Sequence, residues 1–138
     1  MKVFVDTSAW IALEVDKDIN HKAANLYTQS LKKKRAQFFT NAYVLAETYT
    51  RIIYDVHLRA AKRFHEQIKL AIKEEGLIVF EADTSMREVV WEELARYADH
   101  QLSFADATII VNFKQNKLDG IFTFDRHFRD INLPTNLK

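Results

Sequence analysis

A chain of 138 residues, 48% hydrophobic and 28% charged, has the length of one domain (residues 1–138) and the make-up of a folded one, so disorder is set aside. With two glycines and one proline it lacks the turn material of a β sandwich and favours helices on short connections. The absence of cysteine excludes disulfides, thiolate metal sites and a cysteine nucleophile, and a net charge of +1 leaves nucleic-acid binding to local basic patches.

The amino end, MKVFVDTS, carries one lysine and then a strand that runs into polar residues, which does not read as a signal peptide. No apolar run approaches the roughly 18 residues of a membrane span, so no membrane partner is expected. A cysteine-free chain of this kind points to the cytoplasm.

Val3, Phe4 and Val5 form an uninterrupted apolar run, as expected of a strand buried on both faces, and it stops at Asp6, Thr7 and Ser8. Asp6 either caps the helix announced by Trp10, Ile11 and Leu13 or stands at the carboxyl edge of a parallel sheet, where ligands bind. That helix ends near Glu14. A polar connection leads to a second helix, from about His21 to Lys34, with Ala24, Tyr27 and Leu31 at helical spacing. Its closing run, Lys32 to Arg35, reads as a solvated end that complements the helix dipole, with an RNA clamp as the competing account.

Gln37 to Thr40 is a short strand candidate, and Asn41 a candidate N-cap for a third helix from about Ala42 to Val56. That helix carries Tyr43, Val44, Leu45, Ala46, Ile52 and Ile53. Glu47 sits among them, too far in to cap, and an ion pair with Arg51 four residues later is its ordinary explanation. After a break at His57 and Arg59, a fourth helix reaches about Glu75 with Ala61, Phe64, Ile68, Ala71 and Ile72 as its buried stripe, and Gly76 as its stop. Leu77 to Phe80 is again continuously apolar and again followed by acids, Glu81 and Asp83. Ser85 with Glu88 reads as a capping box for a helix striped by Met86, Val90, Leu94 and Ala98, with Glu92, Glu93 and Arg96 in solvent.

From Phe104 to Phe113 nearly every residue is apolar or small, so this helix should be covered on most sides. Asp106 is the exception, and with Ser103 it fits a capping box. A fourth strand, Gly120 to Phe124, ends at Asp125, and Arg126, His127 and Phe128 begin a turn or short helix. Pro134 should end any regular element in the brief tail.

Strands alternating with helices predict an α/β fold, a parallel sheet with right-handed crossovers and helices on both sides. In such a sheet the strand ends share one edge, which Asp6 and Asp125 reach directly and which Asp106 and Glu47 can reach from their helices. Grouping carboxylates is costly, since two unit charges about 4 Å apart repel by about 4 kcal/mol at an effective dielectric near 20. Protons or cations must offset that. Oxygen ligands without cysteine or clustered histidine favour Mg²⁺ or Mn²⁺ over zinc, and such ions can activate water for attack on a phosphodiester.

FVDTSAWIAL, the Glu47 helix, LSFADA and FTFDRHF together resemble the PIN-domain ribonucleases, and among them the VapC-type toxins of toxin–antitoxin pairs. The resemblance runs over almost the whole chain. It implies a three-layer α/β/α sandwich around a short parallel sheet of four to five strands, and metal-dependent cleavage of single-stranded or structured RNA. It also implies a homodimer and inhibition by an antitoxin protein. By the same resemblance Asp6, Glu47, Asp106 and Asp125 are the acids of a metal site, with Thr7, Ser8 and Thr123 as supporting polar residues. Arg51 and Arg126 are candidate phosphate contacts, while His127 has a hydrogen bond, a phosphate contact or a plain structural role open to it.

Two other readings compete. A haloacid-dehalogenase-like phosphatase also begins with an apolar strand ending in a nucleophilic Asp, but usually carries a second Asp two residues on, where this chain has Ser8. A PIN-like binding or scaffold module would use the cleft without cutting.

Overall fold

The computed structural model describes residues 1–137, and the last residue of the expected 1–138 domain, Lys138, lies outside them. Strand β1 (Lys2–Val5) leads to helices α1 (Thr7–Glu14) and α2 (His21–Lys33), and β2 (Gln37–Asn41) to α3 (Ala42–Asp55) and α4 (Leu58–Lys73). Then come β3 (Leu77–Phe80), α5 (Thr84–Arg96), a 3₁₀ turn (Ala98–His100), α6 (Phe104–Gln115), β4 (Gly120–Phe122) and α7 (His127–Asp130). All strand pairings are parallel, in the order β3-β2-β1-β4. The expected α/β architecture is met, with four strands.

Residue alternation along β1 divides the core. Val3 and Val5 pack with Ala9, Ala12, Ala24, Leu31 and Phe122 under α1 and α2, whereas Phe4 packs with Phe39, Ile109, Ile110 and Ile121 against α6. A further cluster of Ile11, Leu45, Ile52, Phe64, Ile68 and Leu77 seats α4 beside α1 and α3. Each side chain of this size that leaves water contributes about 2–3 kcal/mol before the entropy of ordering it. The central strand therefore anchors both layers. Strand order, rather than packing, decides where a ligand can enter. The chain runs outward from β1 through β2 to β3, then returns to place β4 on the other side of β1. The reversal opens a crevice at the carboxyl ends of β1 and β4, the usual ligand position in such sheets.

Several local expectations differ from what is found. β3 is not buried on both faces, because it is the sheet's outer strand and Ile78 is exposed. The first turn of α5 is capped by Asp83, whose Oδ1 accepts from the Met86 amide at 2.8 Å and from the Ser85 hydroxyl, so no Ser85–Glu88 box forms. Those two bonds hold the Asp83 carboxyl below its usual range. Ile72 and Ala98 are exposed, and Glu93 is buried rather than solvated. Gly76 does not supply the left-handed stop of α4. Glu75 does, at φ 60°, and the Gly76 amide closes the turn on the Ala71 carbonyl at 2.9 Å.

The helix from Phe104 is covered as expected, with Ala107 through Asn112 all buried. Its polar members have partners. The buried Asn41 side chain accepts from the Val44 amide at 2.8 Å as the cap of α3, and donates to Thr108 Oγ1 at 2.9 Å and Asn112 Oδ1 at 2.7 Å. One side chain thus fixes α3 and α6 to the end of β2. The tail beyond α7 is not featureless either. It lies beside β4, where the Ile121 amide donates to the Pro134 carbonyl and the Thr123 amide to Asn136 Oδ1 at 2.7 Å. No helix among the described residues is long and apolar enough to cross a membrane.

Candidate active site

Asp6 follows β1, and its amide still donates to the Phe122 carbonyl of β4, so the turn begins at the crevice between the two strands. Its backbone carbonyl accepts from Ala9 and Trp10, which makes it the cap residue of α1, and its Oδ1 accepts from the Thr7 amide at 2.7 Å. Its Oδ2 takes hydroxyl protons from Thr123 at 2.8 Å and Ser8 at 3.2 Å. Capping and site geometry are therefore not alternatives. The same residue does both.

The two hydroxyls are themselves held by backbone. The Phe124 amide donates to Ser8 Oγ at 2.9 Å and the Asp125 amide to Thr123 Oγ1 at 3.0 Å. The chain leaving β4 thereby orients two donors at a carboxylate that leaves β1. Asp6 is 5% exposed, and its carboxyl is pushed up to about 6, chiefly by burial and further by the nearby Asp106 charge, against the lowering bonds from Thr123, Thr7 and Ser8.

The other acids reach the same edge. Glu47, one turn into α3 and exposed, accepts from Thr7 Oγ1 at 3.1 Å. No ion pair joins it to Arg51 among the described residues, so the ordinary account of Glu47 does not hold. Asp106 and Ser103 form the expected capping box, the Asp106 amide donating to Ser103 Oγ at 3.0 Å and the Ser103 amide to Asp106 Oδ2 at 3.1 Å. That box sets Asp106 at the start of α6. His127 was the open residue, and its Nδ1 lies 3.3 Å from both Asp106 Oδ2 and Asp125 Oδ1. Asp106, Asp125 and His127 offer ligand atoms within 4.8 Å of one another, while Asp6 and Glu47 stand outside that tightest group.

A cleft of about 510 Å³ opens beside these groups, lined by Ser8, Asp18, Asn20, Arg51, Phe124, Arg126 and His127 among others. The two candidate phosphate contacts thus face one space next to Asp125. Lys32 to Arg35 do not line it. They close α2 instead, with Arg35 in the left-handed conformation at φ 55°.

This donor set fits a hard cation. It is oxygen-rich, it carries more negative than positive charge, and burial makes ionising Asp6 unfavourable unless a positive charge stands near. It does not fit an aspartate nucleophile. Both Asp6 oxygens are buried and engaged, and Ser8, where a second acid would stand, is occupied by bonds to Asp6 and the Phe124 amide. His127, Asn41 and the tail's Asn136 were not assigned these contacts from the sequence. The sequence did mark Asn41 as the cap of α3, though not its bonds to Thr108 and Asn112, and His127 by its place two residues after Asp125; Asn136 had no signal.

The chain is similar over 91% of its length to the 23S rRNA-specific endonuclease VapC20 of Mycobacterium tuberculosis, at 31% identity over 127 residues that cover 91% of that protein. It superposes on the crystal structure of M. tuberculosis VapC20, described as a sarcin–ricin loop cleaving toxin, with a TM-score of 0.79 at 27% identity and 95% of each chain covered. VapBC2 from Rickettsia felis, solved on a DNA fragment from its promoter, shares the fold at TM-score 0.68 and 15% identity over 99% of this chain and 98% of that one. FitAcB from Neisseria gonorrhoeae does so at 0.63 and 16%, over 96% and 95%. The family profile of the PIN domain matches residues 3–133, and with the 31% identical relative it settles the family: the chain belongs to the PIN-domain nucleases.

Proposed function

We propose that the chain is an endoribonuclease dependent on a divalent metal, and that it serves as the toxin of a toxin–antitoxin pair. The observation that carries this is the continuous run of contacts through which residues from both ends of the chain gather carboxylates at one edge: Glu47 to Thr7, the Asp6 turn to Thr123, and Asp125 through His127 to Asp106. The names of the 31% identical relative support RNA as the substrate.

Asp6, Glu47, Asp106 and Asp125 would hold magnesium or manganese. A hard cation bound there supplies water activation and neutralises charge on the phosphodiester. The chain's own groups do the rest. Thr7, Ser8 and Thr123 hold the carboxylates in place by donating to them, so the donor oxygens need little reorganisation. His127 sits between Asp106 and Asp125, its Nδ1 within 3.3 Å of an oxygen of each, and so orients both side chains. Arg51 and Arg126, facing the cleft, hold phosphates of the substrate strand.

Asp6→Asn tests the assignment. RNA cleavage should fall by at least about a hundred-fold while the fold is retained, since an uncharged amide at that place removes a ligand. Equal rates of RNA-end formation in the variant would remove Asp6 from the site. RNA binding in metal without any product would favour the scaffold module instead.

We further infer two protein contacts. Exposed Ile53, Tyr54, Val56 and Leu58, where α3 meets α4, support pairing with a second copy. The groove of about 570 Å³ that runs between α2 and α4, past Trp10, Phe38 and Ile68, supports an antitoxin seat. A monomeric mass in sedimentation velocity would refute the dimer. Failure to copurify with the product of an adjacent small reading frame would refute the antitoxin.

A further inference from the structure

The cleft beside the acids is lined by groups of different chemistry. Arg51 and Arg126 bring positive charge to it, suited to phosphate. Asp18 and Asn20, from the turn between α1 and α2, line it as well, as do Ile11 and Phe124, whose ring also packs edge-on against Phe122. A second phosphate is disfavoured beside the Asp18 carboxylate. A planar group with polar edges is not.

Asn20 has no side-chain bond to the helix that it precedes. It occupies the cap position of α2, yet its side chain accepts no cap bond, and its backbone at φ −97° and ψ 4° is not in the extended conformation of a cap. Asp6, Asn41, His57, Asp83 and Ser103, at the same position of other helices, all cap with their side chains. The turn that presents Asn20 is itself fixed, because the Asp18 amide donates to the Val15 carbonyl, the His21 amide to the Asp18 carbonyl, and the Asn20 amide to Asp18 Oδ1 at 2.8 Å. The turn therefore places Asn20 at the cleft, and its side-chain donor and acceptor have no partner among the described residues. An amide of this kind pairs with a ring nitrogen and an exocyclic amine on one base edge, and an aromatic ring supports the face of an unstacked base.

We propose that the cleft includes a nucleobase seat, in which Asn20 reads the edge of a base bearing an exocyclic amine and Phe124 supports its face. The base is that of a nucleotide flanking the scissile phosphate, and the seat rests on the endoribonuclease function proposed above. It gives the site a preference at one position of the RNA that acids and arginines, which contact only metal and phosphate, do not provide.

The test uses a library of short single-stranded RNAs randomised around a central position. Wild type and Asn20→Ala are compared by end sequencing in magnesium. Wild type should favour an amine-bearing base at one position flanking the cut. In Asn20→Ala that preference should flatten, and kcat/KM on the favoured sequence should fall by about ten-fold or more, the scale of a lost bidentate base contact. Phe124→Ala should slow all sequences alike, again by about ten-fold. Because the Asn20 side chain makes no bond among the described residues, the thermal midpoint of Asn20→Ala should match wild type and exclude misfolding. A second arm measures anisotropy of labelled hexamers on Asp6→Asn and on the Asp6→Asn, Asn20→Ala double variant, with no cleavage required. If wild type cuts nothing, the nuclease function fails, and loss of base discrimination between the two proteins in this arm still supports the seat. If wild type cuts and Asn20→Ala keeps both preference and efficiency, the seat is overturned and the nuclease function stands. A wild type that cuts without preference at any flanking position overturns it equally.

Discussion

Asp6 shows how one side chain can oppose folding and yet stand at the centre of the proposed site. Its carboxyl is raised from 3.8 to about 6, so the folded state holds the proton more tightly than the unfolded chain. Stability from this group is complete below pH 3.8 and is lost as pH rises through about 6. The loss is on the order of 2–3 kcal/mol, since one pKa unit is about 1.4 kcal/mol. Asp6→Asn should therefore be more stable than wild type by about that amount at pH 7.5 in chelator, and the two should converge near pH 4. Urea unfolding at both pH values checks this. Added magnesium should stabilise wild type and leave Asp6→Asn nearly unmoved. Buried Glu93 makes the complementary case. Its oxygens accept from Lys114 Nζ at 3.0 and 3.1 Å, with Arg96 at 3.6 Å, and the side chains are 8% (Glu93) and 38% (Lys114) exposed. Lys114→Ala leaves a buried carboxylate with one longer contact and should cost about 3 kcal/mol. Glu93→Ala leaves a lysine able to turn to water and should cost only about 1 kcal/mol. Reversed magnitudes in thermal or urea unfolding would show that the pair is not what ties α5 to α6.

At the scale of elements, four helices end in the same way without a glycine. α2, α4, α6 and α7 each place a left-handed residue just past the end, Arg35, Glu75, Lys117 and Asn132, at φ 55°, 60°, 50° and 62°. In each the next amide returns five residues, Ala36 to Leu31, Gly76 to Ala71, Leu118 to Phe113 and Leu133 to Phe128. A residue with a Cβ loses about 1–2 kcal/mol in that conformation, part of which glycine would forfeit as backbone entropy. Glu75→Gly and Lys117→Gly should each raise stability by about 0.5–1 kcal/mol and add together, being on separate helices. No gain in the unfolding midpoint would mean that the side chains compensate through contacts at the helix ends. These stops were only partly legible. A glycine beside a helix end is the usual sign, and in α4 it stands one position too late, closing the turn rather than making it. The stripe of α5 failed for a related reason. Steps of four (Met86, Val90, Leu94, Ala98) drift around a helix of 3.6 residues per turn, whereas Met86, Val90 and Glu93 keep to one face, and those are the buried ones.

For the whole molecule, a net charge of +1 provides no general attraction for RNA, so the proposed binding rests on local cations, of which Arg51 and Arg126 line the cleft. If Arg51 and Arg126 make the principal phosphate contacts, log affinity for single-stranded RNA should fall against log salt with a slope of about −1.4, at about 0.7 per contact. Arg51→Ala should reduce the slope by about 0.7 with no change in base preference. A slope unaltered by Arg51→Ala would place the phosphates elsewhere. The sheet order makes that cleft possible. Because β4 returns to the far side of β1, the two strand ends carrying Asp6 and Asp125 are neighbours, and their turns converge instead of lying strands apart.

The alternation of strands and helices along the chain, the acid at the end of the first strand and the covering of the helix after Phe104 were legible in the sequence, whereas the fourth strand stops at Phe122, short of the expected Phe124. Each legible feature is a local matter, written in apolar runs, period and abrupt polarity. Only the tertiary structure decided that Thr123 donates to Asp6 across 117 positions, that His127 stands between Asp106 and Asp125, that Asn41 binds Asn112, and that Asn20 is left facing a cleft. Such contacts depend on strand register and helix placement together. A hydroxyl or an amide has the same local preferences whether or not a distant strand end brings it a partner.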